Sequence, residues 1–297
     1  MSSPIRLAAA QYPVGQPQHW AEFAAKLQDW VARAAASGAQ LLLFPEYAAM
    51  ELATLLPLST ATDLPAQLAM LQAYLPDYLA LHQRLARECS VYLVAGSFPV
   101  LTGEGRYVNR AHVFSPKSMS WQDKQIMTRF EREHWGISRG EGLCVFDTAI
   151  GRFGINICYD VEFPLLARAQ AEAGADLILV PSCTDTLAGY WRVRWGAQAR
   201  ALENQCLTLQ APLVGEAPWN MAVDINVGRA GCFAPPDFGM PDDGVQTLGE
   251  WNQAQWIYAA LESASLLELR HSGQVLNRRD WAEQGQARLP EVQVIPL

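Results

Sequence analysis

No pair of cysteines in this chain is spaced CxxC, and its five histidines (His19, His82, His112, His134 and His271) form neither HxH nor HExxH. The usual zinc frameworks are therefore excluded, and no metal is expected. Phosphate loops of the GxGxxG or GxxxxGKS/T kind are missing too, so a nucleotide enzyme is disfavoured and no cofactor is implied. There is no run of about 18 apolar residues, and the start, MSSPIRLAAAQ, lacks the charged and apolar regions of a signal peptide. A cytoplasmic protein without membrane contact is expected. Basic residues are scarce: 22 Lys+Arg stand against 30 Asp+Glu, a formal net charge of −8, and no basic cluster offers nucleic acid a footprint.

What the chain does have is hydrocarbon. Half of its 297 residues are hydrophobic, enough for one large α/β core without covalent staples. The six cysteines (Cys89, Cys144, Cys158, Cys183, Cys206 and Cys232) are dispersed, unlike a disulfide scaffold.

Short apolar runs at 5–11, 39–44, 91–98, 176–181, 206–211 and 256–262 read as buried strands. Helical spacing fills 19–36, 66–88 with a break near Pro76, 163–173 and 187–203. Residues 107–114 read as a strand hairpinned onto 91–98, and 124–142 as a long loop with one helical turn. With no linker or repeat, a single domain over 1–297 is expected, its residues 263–297 forming a C-terminal tail that packs at a subunit interface.

The chain's chemistry centres on Cys158. The apolar phrase Gly151-Arg-Phe-Gly-Ile-Asn-Ile-Cys158 stops at a thiol and a helix follows, which is how a nucleophile is presented on a strand-to-helix turn; that turn is expected to expose the sulfur. Alone, such a cysteine is usually a small buried hydrophobe. Two further features change that reading. Glu46 ends the run 39–44 in Phe44-Pro45-Glu46, where open α/β folds place their chemistry, and Asp123-Lys124 opens the long loop.

In order and spacing, these three pieces resemble the nitrilase superfamily of carbon-nitrogen hydrolases. FPE at 44–46, the lysine with its acidic and aromatic loop, ICYDVEFP at 157–164, ARALEN at 199–204 and Tyr107-Val108-Asn109 carry the likeness over residues 5–261. It implies a four-layer α-β-β-α sandwich, a homodimer or larger even assembly, and a Glu46, Lys124 and Cys158 triad. A small carboxamide would be split to acid and ammonia through a cysteine thioester. The alternatives are a nitrilase, an N-carbamoyl amine amidohydrolase, or a catalytically silent binding or assembly subunit.

The resemblance also implies a second glutamate near Lys124, for which Glu131 and Glu133 compete. Glu133 is preferred because it lies seven residues before Gly140 in EHWGISRG. Tyr47, Trp135, Tyr159, Glu162, Phe163 and Cys183 are expected to line the substrate pocket, the last where relatives often carry an aromatic residue. Asp160 is expected to accept backbone N–H bonds at the start of the following helix. Arg192, Arg194 and Asn220 are candidates for a substrate's polar end, and a Cys-His pair built on His134 is a weaker alternative to Glu46.

Overall fold

A computed structural model of the chain describes residues 4–60, 62–284 and 295. Its elements run β1 (Ile5–Pro13), α1 (Trp20–Ala36), β2 (Leu41–Leu43), α2 (Leu64–Leu71), α3 (Leu75–Glu88), β3 (Tyr92–Leu101), β4 (Tyr107–Phe114), β5 (Met119–Asp123) and β6 (Ile137–Ser138). There follow β7 (Val145–Thr148), β8 (Gly151–Ile155), α4 (Pro164–Glu172), β9 (Leu177–Ser182), α5 (Leu187–Asn204) and β10 (Leu207–Glu216). The rest comprises β11 (Ile225–Asn226), β12 (Gly231–Phe233), β13 (Val245–Leu248), β14 (Gln255–Leu261), α6 (Ser263–Ser272) and α7 (Asn277–Asp280).

The strands form a curled sheet ordered β5-β4-β3-β2-β1-β10-β9-β8-β7. β1 is the hinge: it pairs with β14 and β2 along its first part and with β10 only at Tyr12 and Pro13. The sheet therefore has two halves, and side-chain alternation shows how they stack. Leu7, Ala9, Leu41, Leu43 and Val94 join Ile155, Leu177 and Leu209 in one apolar cluster between the halves. Their neighbours Ala8, Ala10, Leu42 and Phe44 point the other way, onto Phe23, Leu27 and Val31 of α1 and Leu81 and Leu85 of α3. Strands covered on both faces must be apolar throughout, which is why β1 and β2 show no polar alternation. α4 and α5 cover the second half through Ala167, Val193 and Ala197, and this completes the expected α-β-β-α order of layers.

Local signals place the helix boundaries. Pro76 sits in the first turn of α3, where its missing N–H costs nothing, and Asp63 caps α2 by accepting from the Ala66 N–H at 3.0 Å. Residues 48–60, which carry no clear period, fold as 3₁₀ turns.

The described part of the tail, residues 263–284, folds back on its own chain. Arg270 pairs with Asp176 at 2.5 Å and donates to the Gln205 carbonyl at 2.8 Å, and the Arg168 guanidinium lies over the Trp281 ring. The remainder of the expected interface tail, apart from residue 295, lies outside the described residues.

Candidate active site

Three strand ends supply the site. After β2, Glu46 and Tyr47 turn inward, and Tyr47 adopts a left-handed φ of 58° while its N–H donates to Ser97 Oγ at 3.0 Å. This crossing needs Gly96: its φ is +71°, and a Cβ there would lie 2.0 Å from the Pro45 carbonyl oxygen. β5 delivers Lys124, whose N–H donates to the Asn109 carbonyl at 2.9 Å and whose own carbonyl accepts from Gly140 at 2.8 Å. Beyond β8 the chain passes Asn156 and Ile157 into a single 3₁₀ turn, Cys158–Glu162, ahead of α4. Cys158 begins that turn with a φ of +49°, a costly conformation for a side chain with a Cβ and one concentrated at functional sites.

The three ends converge on one network. Lys124 Nζ donates to Glu46 Oε1 and to Glu131 Oε2, each at 2.7 Å. Asn109 Nδ2 bridges the same two carboxylates at 2.9 and 3.2 Å. Glu131 also accepts from Tyr47 Oη at 2.6 Å and from the Thr128 N–H and hydroxyl at 2.9 Å. Glu46 Oε2 takes the Cys183 N–H at 3.1 Å, and Cys158 Sγ lies 3.6 Å from the Cys183 carbonyl oxygen while also facing Glu46.

Electrostatics assign these groups different protonation behaviour. Burial drives the Glu46 pKa up, and the Glu131 charge adds to this, while Lys124 opposes both. Burial would also raise Glu131, but Lys124 and the donors from Tyr47 and Thr128 outweigh it and hold that carboxyl below its ordinary value. Burial alone would lower Lys124; Glu131 and Glu46 overcome it and keep the ammonium charged. The Cys158 thiol is pushed well up by burial and by Glu46, against the pull of Lys124. Glu46 is thus the carboxylate readiest to exchange a proton, and Glu131 the one that stays ionised.

Above the network opens a cavity of about 470 Å³. Glu46, Lys124, Glu131 and Cys158 line its depth with Tyr47, Trp135 and Cys183; the wall includes Thr128, Arg129, Asp185, Arg192 and the segment carrying Met221, Ala222, Asp224 and Ile225.

The carbon-nitrogen hydrolase family model matches residues 6–249, most of the chain. This chain belongs to the carbon-nitrogen hydrolase family. A Bacillus subtilis protein named "Probable hydrolase YhcX" is 37% identical over 250 residues, covering 84% of this chain and 48% of that protein. A deaminated glutathione amidase of Yersinia enterocolitica is 32% identical over 154 residues, 45% of this chain and 51% of that one. The chain thus spans about half the length of the curated relatives it matches. In fold it is similar to the crystal structure of Saccharomyces cerevisiae Nit3, a nitrilase-superfamily protein: TM-score 0.71 at 20% identity, covering 91% of this chain and 94% of that one.

In this member of the carbon-nitrogen hydrolase family, several expected site residues fall elsewhere. Glu133 is not the carboxylate beside Lys124. It is exposed and pairs with Arg129 at 2.9 to 3.3 Å, whereas Glu131 is buried. The reason is helical: Glu131–Trp135 forms one wide turn, so Glu131 and Trp135 share its inner face and Glu133 points out. Tyr159 packs edge-on against Phe163 at 4.9 Å, and neither ring lines the cavity. Glu162 is absent from the lining and lies 3.6 Å from Arg192, which is part of it. Tyr47, Trp135 and Cys183 do line the cavity.

Cys158 is 5% exposed, so its turn seats the sulfur at the floor of a cavity and does not present it to bulk solvent. Arg194 stacks on Trp191, and Asn220 is buried with its amide 3.5 Å from the Met50 carbonyl; only Arg192 of that trio reaches the cavity. His134 is exposed and absent from the lining, which removes a Cys-His pair. A GxSxG pentapeptide at 136–140 places Ser138 in β6, not on a strand-to-helix elbow, and it too is absent from the lining. Sequence reasoning missed Thr128 and the wall residues Met221, Ala222 and Asp224, which sit on loops without periodicity, and Ile225, which opens the two-residue strand β11. Glu131 did carry a signal, its i, i+4 spacing to Trp135.

Proposed function

We propose that this protein hydrolyses a small carboxamide to a carboxylic acid and ammonia, with Cys158 as nucleophile, Glu46 as general base and acid, and Lys124 as the electrostatic partner of the reacting oxygen. The observation that carries the reading is the convergence of thiol, carboxylate and ammonium at the depth of one cavity. Amide cleavage calls for those three elements together.

In the first half-reaction the Cys158 proton passes to Glu46 as sulfur bonds to the carbonyl carbon, and the oxygen's charge is met by Lys124 and the Tyr159 N–H. Glu46 returns the proton to nitrogen, the C–N bond breaks and ammonia leaves a thioester. Water then gives its proton to Glu46 and attacks the same carbon; the C–S bond breaks, and the proton returns to sulfur. Glu131 holds Lys124 and Tyr47 in place. Tyr47, Trp135 and Cys183 contact the substrate.

No helix among the described residues is long and apolar enough to cross a membrane. Six free cysteines favour a reducing cytoplasm. The working form is a homodimer. Leu187, Trp195 and Leu202, exposed along α5 at 55%, 62% and 38%, favour a covered face there.

The test is ammonia release from a panel of aliphatic amides, nitriles and N-carbamoyl amines, with Cys158→Ala alongside. Release from an amide that disappears in the variant supports the proposal. Release from a nitrile or carbamoyl amine alone replaces it with the nitrilase or carbamoyl reading. No release, together with no alkylation of Cys158 by iodoacetamide, indicates a silent binding subunit.

A further inference from the structure

Asp160 follows Cys158 by two residues and is 2% exposed. A helix-start aspartate ordinarily caps its own turn, and here Oδ2 does accept from the Ile157 N–H at 3.2 Å. The other donors come from 34 and 35 residues away. Oδ1 takes the Ile126 N–H at 2.7 Å, and the Gln125 N–H lies 3.1 and 3.2 Å from the two oxygens. Those N–H groups belong to the residues directly after Lys124, beyond the end of β5, where among the described residues no strand pairs with them.

We propose that Asp160 is a positioning residue for this site: its carboxylate ties the Cys158 turn to the Lys124 loop and so fixes the separation of thiol and ammonium. The inference rests on the functional reading above, in which those two groups serve one reacting carbon. Two observations make such a tie necessary. Cys158 holds a left-handed φ of +49°, which surrounding bonds must maintain, and the other bonds to the Lys124 loop, from the Asn109 carbonyl, the Gly140 N–H, the Gln125 side chain to the Asp123 carbonyl and Glu131 to Thr128, do not reach the Cys158 turn. Displacements of about 1 Å cost such sites rate on the order of a hundredfold. Only a carboxylate can serve all of these donors, because an asparagine in its place turns an N–H₂ toward Ile126 or toward Ile157.

The experiment is alkylation of the full-length protein by iodoacetamide at several pH values, with Cys158 modification read by mass spectrometry of its peptide, for wild type, Asp160→Asn and Asp160→Glu. The groups acting on the thiol are Glu46, Lys124 and Cys183, with Asp160 nearby. Loss of the Asp160 charge alone would lower the thiol's midpoint. Loss of the tie carries the thiol away from Lys124 and raises it. The expected result for Asp160→Asn is a midpoint about one unit higher and alkylation about tenfold slower near pH 8.5, where the wild-type carboxyl, raised by burial to about 7, is ionised, with partial recovery in Asp160→Glu. A midpoint that is unchanged or lower overturns the proposal.

Should neither variant fold, amide hydrogen exchange of the wild type decides: slow exchange at Gln125 and Ile126 sustains the tie, and exchange at the free-peptide rate overturns it. A fully active Cys158→Ala protein would overturn the functional reading and leave the alkylation result of Asp160→Asn interpretable.

Discussion

Replacing Glu131 by glutamine tests which carboxylate serves Lys124. Glu131 accepts from five donors: Lys124 Nζ, Tyr47 Oη, Asn109 Nδ2, and the N–H and hydroxyl of Thr128. Glutamine can accept at one oxygen only, so its N–H₂ must face either Lys124 and Thr128 or Tyr47 and Asn109. Breaking one partner of a buried charge pair costs about 3–5 kcal/mol, and we expect about 3 because the shape is kept. For a chain of this size that lowers the melting temperature by about 6 °C.

Activity should fall further than stability. Without the Glu131 charge, Glu46 loses one of the influences that raise its pKa and becomes a weaker base, while Lys124 loses one of its two anchors. A drop in kcat of about a hundredfold is expected. Glu133→Gln removes only a solvent-exposed pair with Arg129 and should leave melting and turnover at wild-type values. Differential scanning fluorimetry and steady-state kinetics on the two variants make the comparison. Equal losses in both, or a wild-type Glu131→Gln enzyme, would refute the reasoning.

Gly96→Ala should melt several degrees lower and lose activity, because its Cβ meets the Pro45 carbonyl at 2.0 Å; Gly103→Ala, with nothing within 4 Å, is the neutral control. His82 and His112 are buried, which lowers their pKa values from 6.5 to about 4 and about 3. Below pH 6.5 the unfolded chain takes up protons that the folded one refuses, so stability is complete above that value and lost as pH falls through the folded pKa, about 3 kcal/mol from His82. Asp160, raised by burial to about 7, acts with the opposite sign over pH 4–7. The difference between wild type and His82→Gln in urea unfolding at pH 7 and 4.5 isolates the histidine, and identical acid losses would contradict it.

The layers were legible because β1, β2 and β9 are apolar on both faces, and a strand can be so only between two covers. Cys158 and Glu46 were legible as strand ends. Glu133 was misplaced because the wide turn at 131–135 reverses which glutamate points inward, and spacing to Gly140 says nothing about helical phase. Tyr159 and Glu162 were misplaced because a single 3₁₀ turn rotates them away from the cavity. The cross-loop bonds of Asp160 end on backbone N–H groups, which leave no trace in residue identity.

The central claim is that carbon bonds to Cys158 sulfur during turnover. Rapid acid quench of the enzyme with an amide it hydrolyses, followed by mass spectrometry of the Cys158 peptide, tests this directly. The account predicts a mass gain equal to the acyl group, with nitrogen lost, that decays as acid product appears. Sustained ammonia release with an unmodified Cys158 peptide, undiminished in Cys158→Ala, would contradict it.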